Sequence, residues 1–444
     1  MIMKDFFDDG LFLNSHAAHE IYDEIKDLPV IDYHCHLDPE KIRGNAKFSD
    51  IGELWLAGDH YKWRAMRLCG VEEKYITGNA CYRDKFMKYA EILPKLAGNP
   101  LYVWSHLELK SIFGITEPLS GENAERIYAA ANEKLRLLSV RSLFEKFRVE
   151  FVATTDDPCD GLENCGRHCG ALVTPTFRPD KLLFFNEEYL QKLAKTTGKP
   201  VASLTDLLAA AESRLEYFIE HGCRLADHSF RRFPKEYASA AEAEELYANR
   251  RSLSAKQKEA LFGYTLVKLA EMYGRKGIVM QMHFAVERNV NPAMFSLCGA
   301  DSGFDVIASA QNPEDVVAFF ARIREDRRPE TILYTLNDSN QSALTALTGA
   351  FRNVRTGAAW WFNDTAEGIR KNLSVLSEYA VLGTSFGMLT DSRSFSSYVR
   401  FDFFRRILAD FLGGMAERGE YALKDAVETA KNISYYNIKE ALKL

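Results

Sequence analysis

At 444 residues, 47% hydrophobic and 27% charged, the chain has the balance of a globular protein with a sizeable core. Its formal net charge of -6 gives no electrostatic reason to expect nucleic acid or an anionic membrane as partner. Residues 1–12 carry Asp5, Asp8 and Asp9 where a leader would be basic and then apolar, and no run of 18 apolar residues occurs, so a cytoplasmic protein is expected.

Residues 1–27 read as a loop and then a helix over 16–26, leading into a short buried strand at 29–33. Val30 and Ile31 are β-branched there, and Pro29 suits a strand's first position. From about 39 to 146 the sequence is helical. Apolar residues recur at three- and four-residue intervals over 51–56, 83–96 and 124–138, punctuated by Pro94, Gly98-Asn99-Pro100 and Gly121. Thereafter short apolar strands at 150–154, 171–174, 223–226, 278–283, 332–335, 357–361 and 383–389 alternate with helices at 201–221, 255–273, 316–324, 341–350 and 365–379. This pattern predicts a single α/β domain, a (β/α)8 TIM-like barrel with a helical insertion (39–146) after its first strand. A doubly wound sheet is the rival, but no glycine-rich phosphate loop follows the first strand. The eight cysteines fit reduced thiols. Cys159, Cys165, His168 and Cys169 lack a close Cys-x-x-Cys pair and read as a loop with free thiols, not a zinc site.

Barrel active sites lie where the strands end. The residues there are unusually polar: His34 and His36, Thr155-Asp156-Asp157, Thr176-Phe177-Arg178, Asp227-His228, Gln281-Met282-His283, Asn337-Asp338, Trp360-Trp361 and Thr390-Asp391-Ser392-Arg393. Taken singly, Asp157 and Asp338 read as helix caps, His228 and His283 as structural histidines, and the tryptophans as core. His34 and His36 are different. Residues i and i+2 of an extended segment share a face, so the two imidazoles project together as half of a divalent-metal site, most naturally zinc. In a closed barrel the first and last strands are neighbours, which brings Asp391 to the same ion.

Ten segments in order carry a resemblance over nearly the whole chain: DYHCHL (32–37), GDHYKWRAMR (58–67), NPLYVWSHLEL (99–109), TTDDP (154–158), PTFRPDK (175–181), ADH (226–228), QMHFAVERNVN (281–291), ADSGFD (300–305), WWFND (360–364) and GMLTDSRSF (387–395). On these the chain resembles the uronate isomerase (glucuronate isomerase) family of the amidohydrolase superfamily. The cysteines at 159–169 depart from the family pattern, as does Phe284-Ala285 where a small residue such as glycine is expected.

The resemblance implies an aldose–ketose isomerase interconverting D-glucuronate with D-fructuronate and D-galacturonate with D-tagaturonate. A proton moves between C2 and C1 through a cis-enediol. It implies one divalent metal, zinc, on His34, His36 and Asp391. His283 is either a further ligand or, the favoured role, an acid/base in ring opening. His60 and Tyr61 come from the insertion to shield the site, and either Tyr61 or Asp391 carries the proton. Arg178, Arg288 and Arg393 are implied substrate contacts, with Arg288 favoured for the carboxylate; Trp361 is a wall against the sugar. Many amidohydrolases carry a metal-bridging lysine or glutamate where Arg178 stands, so a mononuclear site is expected. The partner is a small hexuronate, and a homo-oligomer stays open. The rivals are a metal-dependent hydrolase of a cyclic amide, ester or lactone, and a non-catalytic sugar-acid binder.

Overall fold

Strands buried on both faces read as continuous apolar runs, and all six residues of Val279–Phe284 are buried. In a computed structural model, which describes residues 5–444 and so leaves the first four positions of the N-terminal stretch outside the described residues, this strand lies mid-sheet. Thr176–Phe177, Leu225–Ser229, Val279–Phe284, Thr331–Thr335 and Val354–Thr356 pair in parallel in that order. A second sheet pairs Val30–Asp32, Val149–Ala153 and Ala171–Thr174 in parallel, with Gly166–His168 antiparallel on its edge. Helices connect most of the parallel strands, as the alternation in the sequence predicts, but Val149–Ala153 reaches Ala171–Thr174 through a loop and Gly166–His168, without a helix.

Pro175 separates Ala171–Thr174 from Thr176–Phe177, because proline brings no backbone donor to the ladder. Hydrogen bonds still step across the break, from Thr154 N to Thr174 O, Asp156 N to Thr176 O and Arg178 N to Asp156 O. Period-two alternation turns Ile31, Phe151, Leu225, Val279 and Ile332 inward from both sheets into one buried cluster. Met280, Met282 and Phe284 face the helices instead.

Two expected strands take another form. At 357–361 the strand sits earlier, at Val354–Thr356, and the chain then turns through Trp361–Asn363, with Trp361 in a left-handed conformation (φ 54°). At 383–389 a turn at Leu382–Thr384 leads into a segment without a regular ladder. Individual bonds fasten that segment to the first strand: Tyr33 Oη donates to Gly387 O (2.6 Å), Asp391 N to His34 O (3.0 Å) and His36 N to Ser392 O (3.0 Å). Side chains and single backbone pairs do there what a ladder does elsewhere. Among the described residues the parallel strands therefore fall into two sheets, beside a two-stranded antiparallel pair, and not into one closed ladder of eight.

The insertion is helical as expected, from Pro39–Arg43 to Val140–Phe147. Asp59 caps His60–Leu68 through Tyr61 N (3.0 Å) and Lys62 N (3.1 Å), which orients the helix that carries His60 and Tyr61. Asp157 closes a turn at Cys159 N, and Asn337, not Asp338, caps at Ser339 N. All eight cysteines are free, and Cys169 Sγ bonds Ile42 O (3.1 Å). Among the described residues no helix is long and apolar enough to cross a membrane.

The long helix Val399–Glu417 packs on His16–Ile25 with Gly413 at the contact, where a Cβ would lie 2.5 Å from Ala18 N and 2.7 Å from its Cα. We expect Gly413→Ala to force these helices apart and to lower stability by about 1–3 kcal/mol, read as a reduced urea midpoint at unchanged slope.

Candidate active site

The first strand ends at Asp32, and the extended residues beyond it turn His34 and His36 to one side. Both Nε2 atoms converge on a single oxygen, Asp391 Oδ1, at 3.3 and 3.2 Å. The other oxygen of Asp391 accepts from Trp360 Nε1 (2.9 Å). Burial opposes charge on Asp391, but its bonds to the two histidines outweigh that and hold the carboxyl well below the usual range. Burial pushes His36 down to about 4, so it is neutral near pH 7, the form in which imidazole binds a metal. For His34 the charges of Asp227 and Asp391 overcome burial and raise the pKa.

A second arrangement stands beside the first. His283 Nδ1 donates to Asp227 Oδ1 (2.7 Å), which leaves Nε2 buried and without a hydrogen-bond partner among the described residues. Its ring stacks on Tyr334 and lies 4.6 Å from the His34 ring centroid. Asp227 is fully buried, yet the Arg178 guanidinium, 3.3 Å from its other oxygen, and the His283 and His34 rings keep its carboxyl far below the usual range. A carboxylate held ionised in this way fixes the His283 proton on Nδ1 and presents Nε2 as an acceptor. His228, next in sequence, points the other way to Asp180 and Tyr273 and is structural.

The ligand atoms of His34, His36 and Asp391 lie within 4.8 Å of one another, as do those of His34, Asp227 and His283. Two nitrogens and a carboxylate oxygen suit a divalent metal, and the buried His283 Nε2, without a hydrogen-bond partner among the described residues, borders the same place. A cavity of about 330 Å³ opens here. It is lined by nine of the expected site residues: His34, His36, His60, Arg178, His283, Arg288, Trp361, Asp391 and Arg393. Tyr61 is the exception. It stacks near His60 and lines a smaller neighbouring cavity of about 120 Å³, its hydroxyl buried without a hydrogen-bond partner among the described residues.

Each arginine is held by an acid. Arg178 reaches Asp227 and Asp180 (both 3.3 Å). Arg288 pairs with Asp305 (2.9 Å), donates to Ser229 Oγ (3.0 Å) and lies 5.1 Å over the Trp361 ring. Arg393 pairs with Asp301 (2.9 Å) and donates to His60 Nδ1 (3.3 Å). Asp301 and Asp305 belong to one excursion of the chain, opened and closed by the antiparallel pair Val286–Glu287 and Val306–Ile307.

A family model described as glucuronate isomerase matches residues 3–442. The chain belongs to the glucuronate isomerase family. It is 41% identical to the uronate isomerase of Shouchella clausii, with 98% of each chain covered. It is 40% identical to that of Bacillus pumilus, over 99% of this chain and 96% of the relative. Among solved structures, the uronate isomerase of Thermotoga maritima superposes with a TM-score of 0.95 at 32% identity, covering 99% of this chain and 100% of the other. The glucuronate isomerase of Caulobacter crescentus gives 0.93 at 28%, covering 98% and 97%.

Sequence reasoning assigned no role to Asp180, Ser229 and Asp301, which also line the cavity, nor to Asp227 behind it. Asp180 and Asp301 stand inside two of the quoted motifs. Asp227 was legible as a facing: with the strand running from Leu225 to Ser229, alternation places Leu225, Asp227 and Ser229 inside and His228 outside.

The Asp227 pKa is depressed by folding. Its stabilisation is therefore complete above its unfolded value, about 3.9, and is lost as pH falls towards the lower folded value. Asp227→Asn is expected to cost about 1.5–3 kcal/mol at neutral pH. The gap to the parent protein in urea midpoint should narrow on acidification below about pH 4. A gap independent of pH would show that charge is not what Asp227 contributes.

Proposed function

We propose that this chain interconverts D-glucuronate with D-fructuronate and D-galacturonate with D-tagaturonate, moving a proton between C2 and C1 through a cis-enediol. The observation that carries the reading is that one cavity holds the His34–His36–Asp391 donor set and three arginines together. Family membership supports the same reaction, and the relatives named uronate isomerase match over the full length of the chain.

His34, His36 and Asp391 would hold one divalent ion, zinc being the best match to two imidazoles and a carboxylate. When bound, that ion supplies Lewis-acid polarisation of a sugar oxygen. Arg178 supports a mononuclear site, since its fixed charge 3.3 Å from Asp227 would repel a second cation on the His34–Asp227–His283 group. Arg288 anchors the substrate carboxylate through its paired donors, and Trp361 walls the sugar beside it. Arg393, which donates to His60, and Arg178, which pairs with the Asp227 that holds His283, stabilise negative charge developing on the enediolate oxygens. His283, oriented by Asp227, exchanges a proton with the ring oxygen on opening. Asp391 lines the cavity and Tyr61 does not, which supports Asp391 as the group that moves the C2 proton and Tyr61 with His60 as the screen against water.

The reading extends to the architecture. The shared inward cluster of both sheets, and the bonds joining 387–392 to the first strand, support a single (β/α)8 barrel domain with its insertion at 39–146. Eight free thiols support a cytoplasmic location.

Zinc-loaded protein mixed with D-glucuronate in deuterated water should form the ketose with deuterium exchanged at the reacting carbon, followed by NMR. Absence of isomer with hydrolysis of a sugar lactone would replace this reading with the hydrolase one. Arg288→Met should raise KM about one to two orders of magnitude, the scale of a charged hydrogen bond of about 1.5–3 kcal/mol. An unchanged KM would move the carboxylate anchor to Arg178 or Arg393.

A further inference from the structure

Asp391 has a left-handed backbone (φ 45°), which a residue with a Cβ keeps only when its surroundings impose it. The segment around it has no regular strand ladder to do so. The Asp391 N–H donates to His34 O (3.0 Å), and further restraint falls on its neighbour. Thr390 donates from N and from Oγ1 to the two oxygens of Asp32, at 2.9 and 2.6 Å. From the other side Arg400 Nη1 donates to Thr390 O at 2.7 Å. The backbone N–H, hydroxyl and carbonyl of Thr390 are thus all engaged, by the carboxyl of Asp32 and the guanidinium of Arg400.

Asp32 and Arg400 are almost completely buried, at 0% and 2% exposure, and neither lines the cavity. Burying charge is costly unless the groups are satisfied, and charge-assisted hydrogen bonds to backbone are strong and directional. Arg400 is itself fixed in place. Its guanidinium lies 4.0 Å from the Trp104 ring and 5.0 Å from the Tyr61 ring, with Asp364 at 3.9 Å. It therefore links the last segment of the site to the helical insertion that carries Tyr61.

We infer that Asp32 and Arg400 are positioning residues: by gripping Thr390 from both sides they hold Asp391 in the backbone conformation that aims its carboxylate at His34 and His36. The inference rests on Asp391 acting as a metal ligand in the proposed reaction. Groups behind a metal ligand commonly govern affinity by about 10–100-fold, because a ligand free to swing loses its geometry.

The test measures zinc affinity by competition with a chromogenic chelator, alongside the urea midpoint, in the full-length protein. Asp32→Asn, Arg400→Met and Thr390→Val should each weaken zinc binding about 10–100-fold. Their kcat should fall, while KM stays within about threefold because Arg178, Arg288 and Arg393 are untouched. Thr390→Ser, which keeps the hydroxyl, should restore affinity to within about threefold of the parent. Thr390→Val changes shape least and keeps the test available if a charge variant does not fold. Wild-type zinc affinity in the folded variants, or equal losses in Thr390→Ser and Thr390→Val, would overturn the inference. Asp391→Ala separates the two levels. Zinc retained by that variant would overturn the ligand assignment itself, whereas zinc lost there and retained in the other three would overturn only the positioning role.

Discussion

The carboxylate of Asp32 receives two hydrogen bonds from Thr390, a residue 358 positions further along the chain. The meeting of His34, His36 and Asp391 is built around this join. His34 and His36 leave the first strand just beyond Asp32, and Asp391 follows Thr390 directly. Joining 32 to 390 therefore sets the distance at which two imidazoles meet one carboxylate. The contact is fully buried, where a hydrogen bond to a carboxylate is strong and an unmade one is expensive. The long helix Val399–Glu417 supplies Arg400 to the other side of the join and packs against His16–Ile25, just ahead of the first strand. The two ends of the chain thus brace each other behind the site.

Around that centre, opposite charges occur in fixed pairs. Arg178, Arg288 and Arg393 each meet an aspartate, and Asp227 holds both Arg178 and His283. Such pairing fixes long side chains before any ligand arrives, so less conformational freedom is lost on binding. The same acids keep the cavity from being a bare cluster of positive charge. Oriented arginine donors and the histidine–aspartate group thus line one cavity together.

Much of this was readable from local pattern. His34-Cys35-His36 after an apolar run, the helical periodicity of 39–146 and the strand–helix alternation are short-range features that hold whatever surrounds them. The run Phe386-Gly387-Met388-Leu389 looks like a strand because it is apolar and bounded by polar residues. It and the residues just after it are held by the Tyr33 hydroxyl at Gly387, the Asp32 carboxyl at Thr390 and the His34 carbonyl at Asp391, which no periodicity encodes. Tyr61 illustrates the same boundary. Its place next to His60 is sequence, but the capped helix His60–Leu68 sets the residue against a neighbouring cavity with its hydroxyl buried.

By itself the sequence determined which residue types could do chemistry, the alternating α/β organisation and the family, because these follow from side-chain identity and local spacing. Tertiary structure alone decided that Asp227 faces His283 while His228 faces away, that Asp301 and Asp305 hold the arginines, and that Asp391 adopts a left-handed backbone between Asp32, Thr390 and Arg400. Those outcomes depend on contacts between residues far apart in the chain, whose energies exist only once burial has removed water from between them.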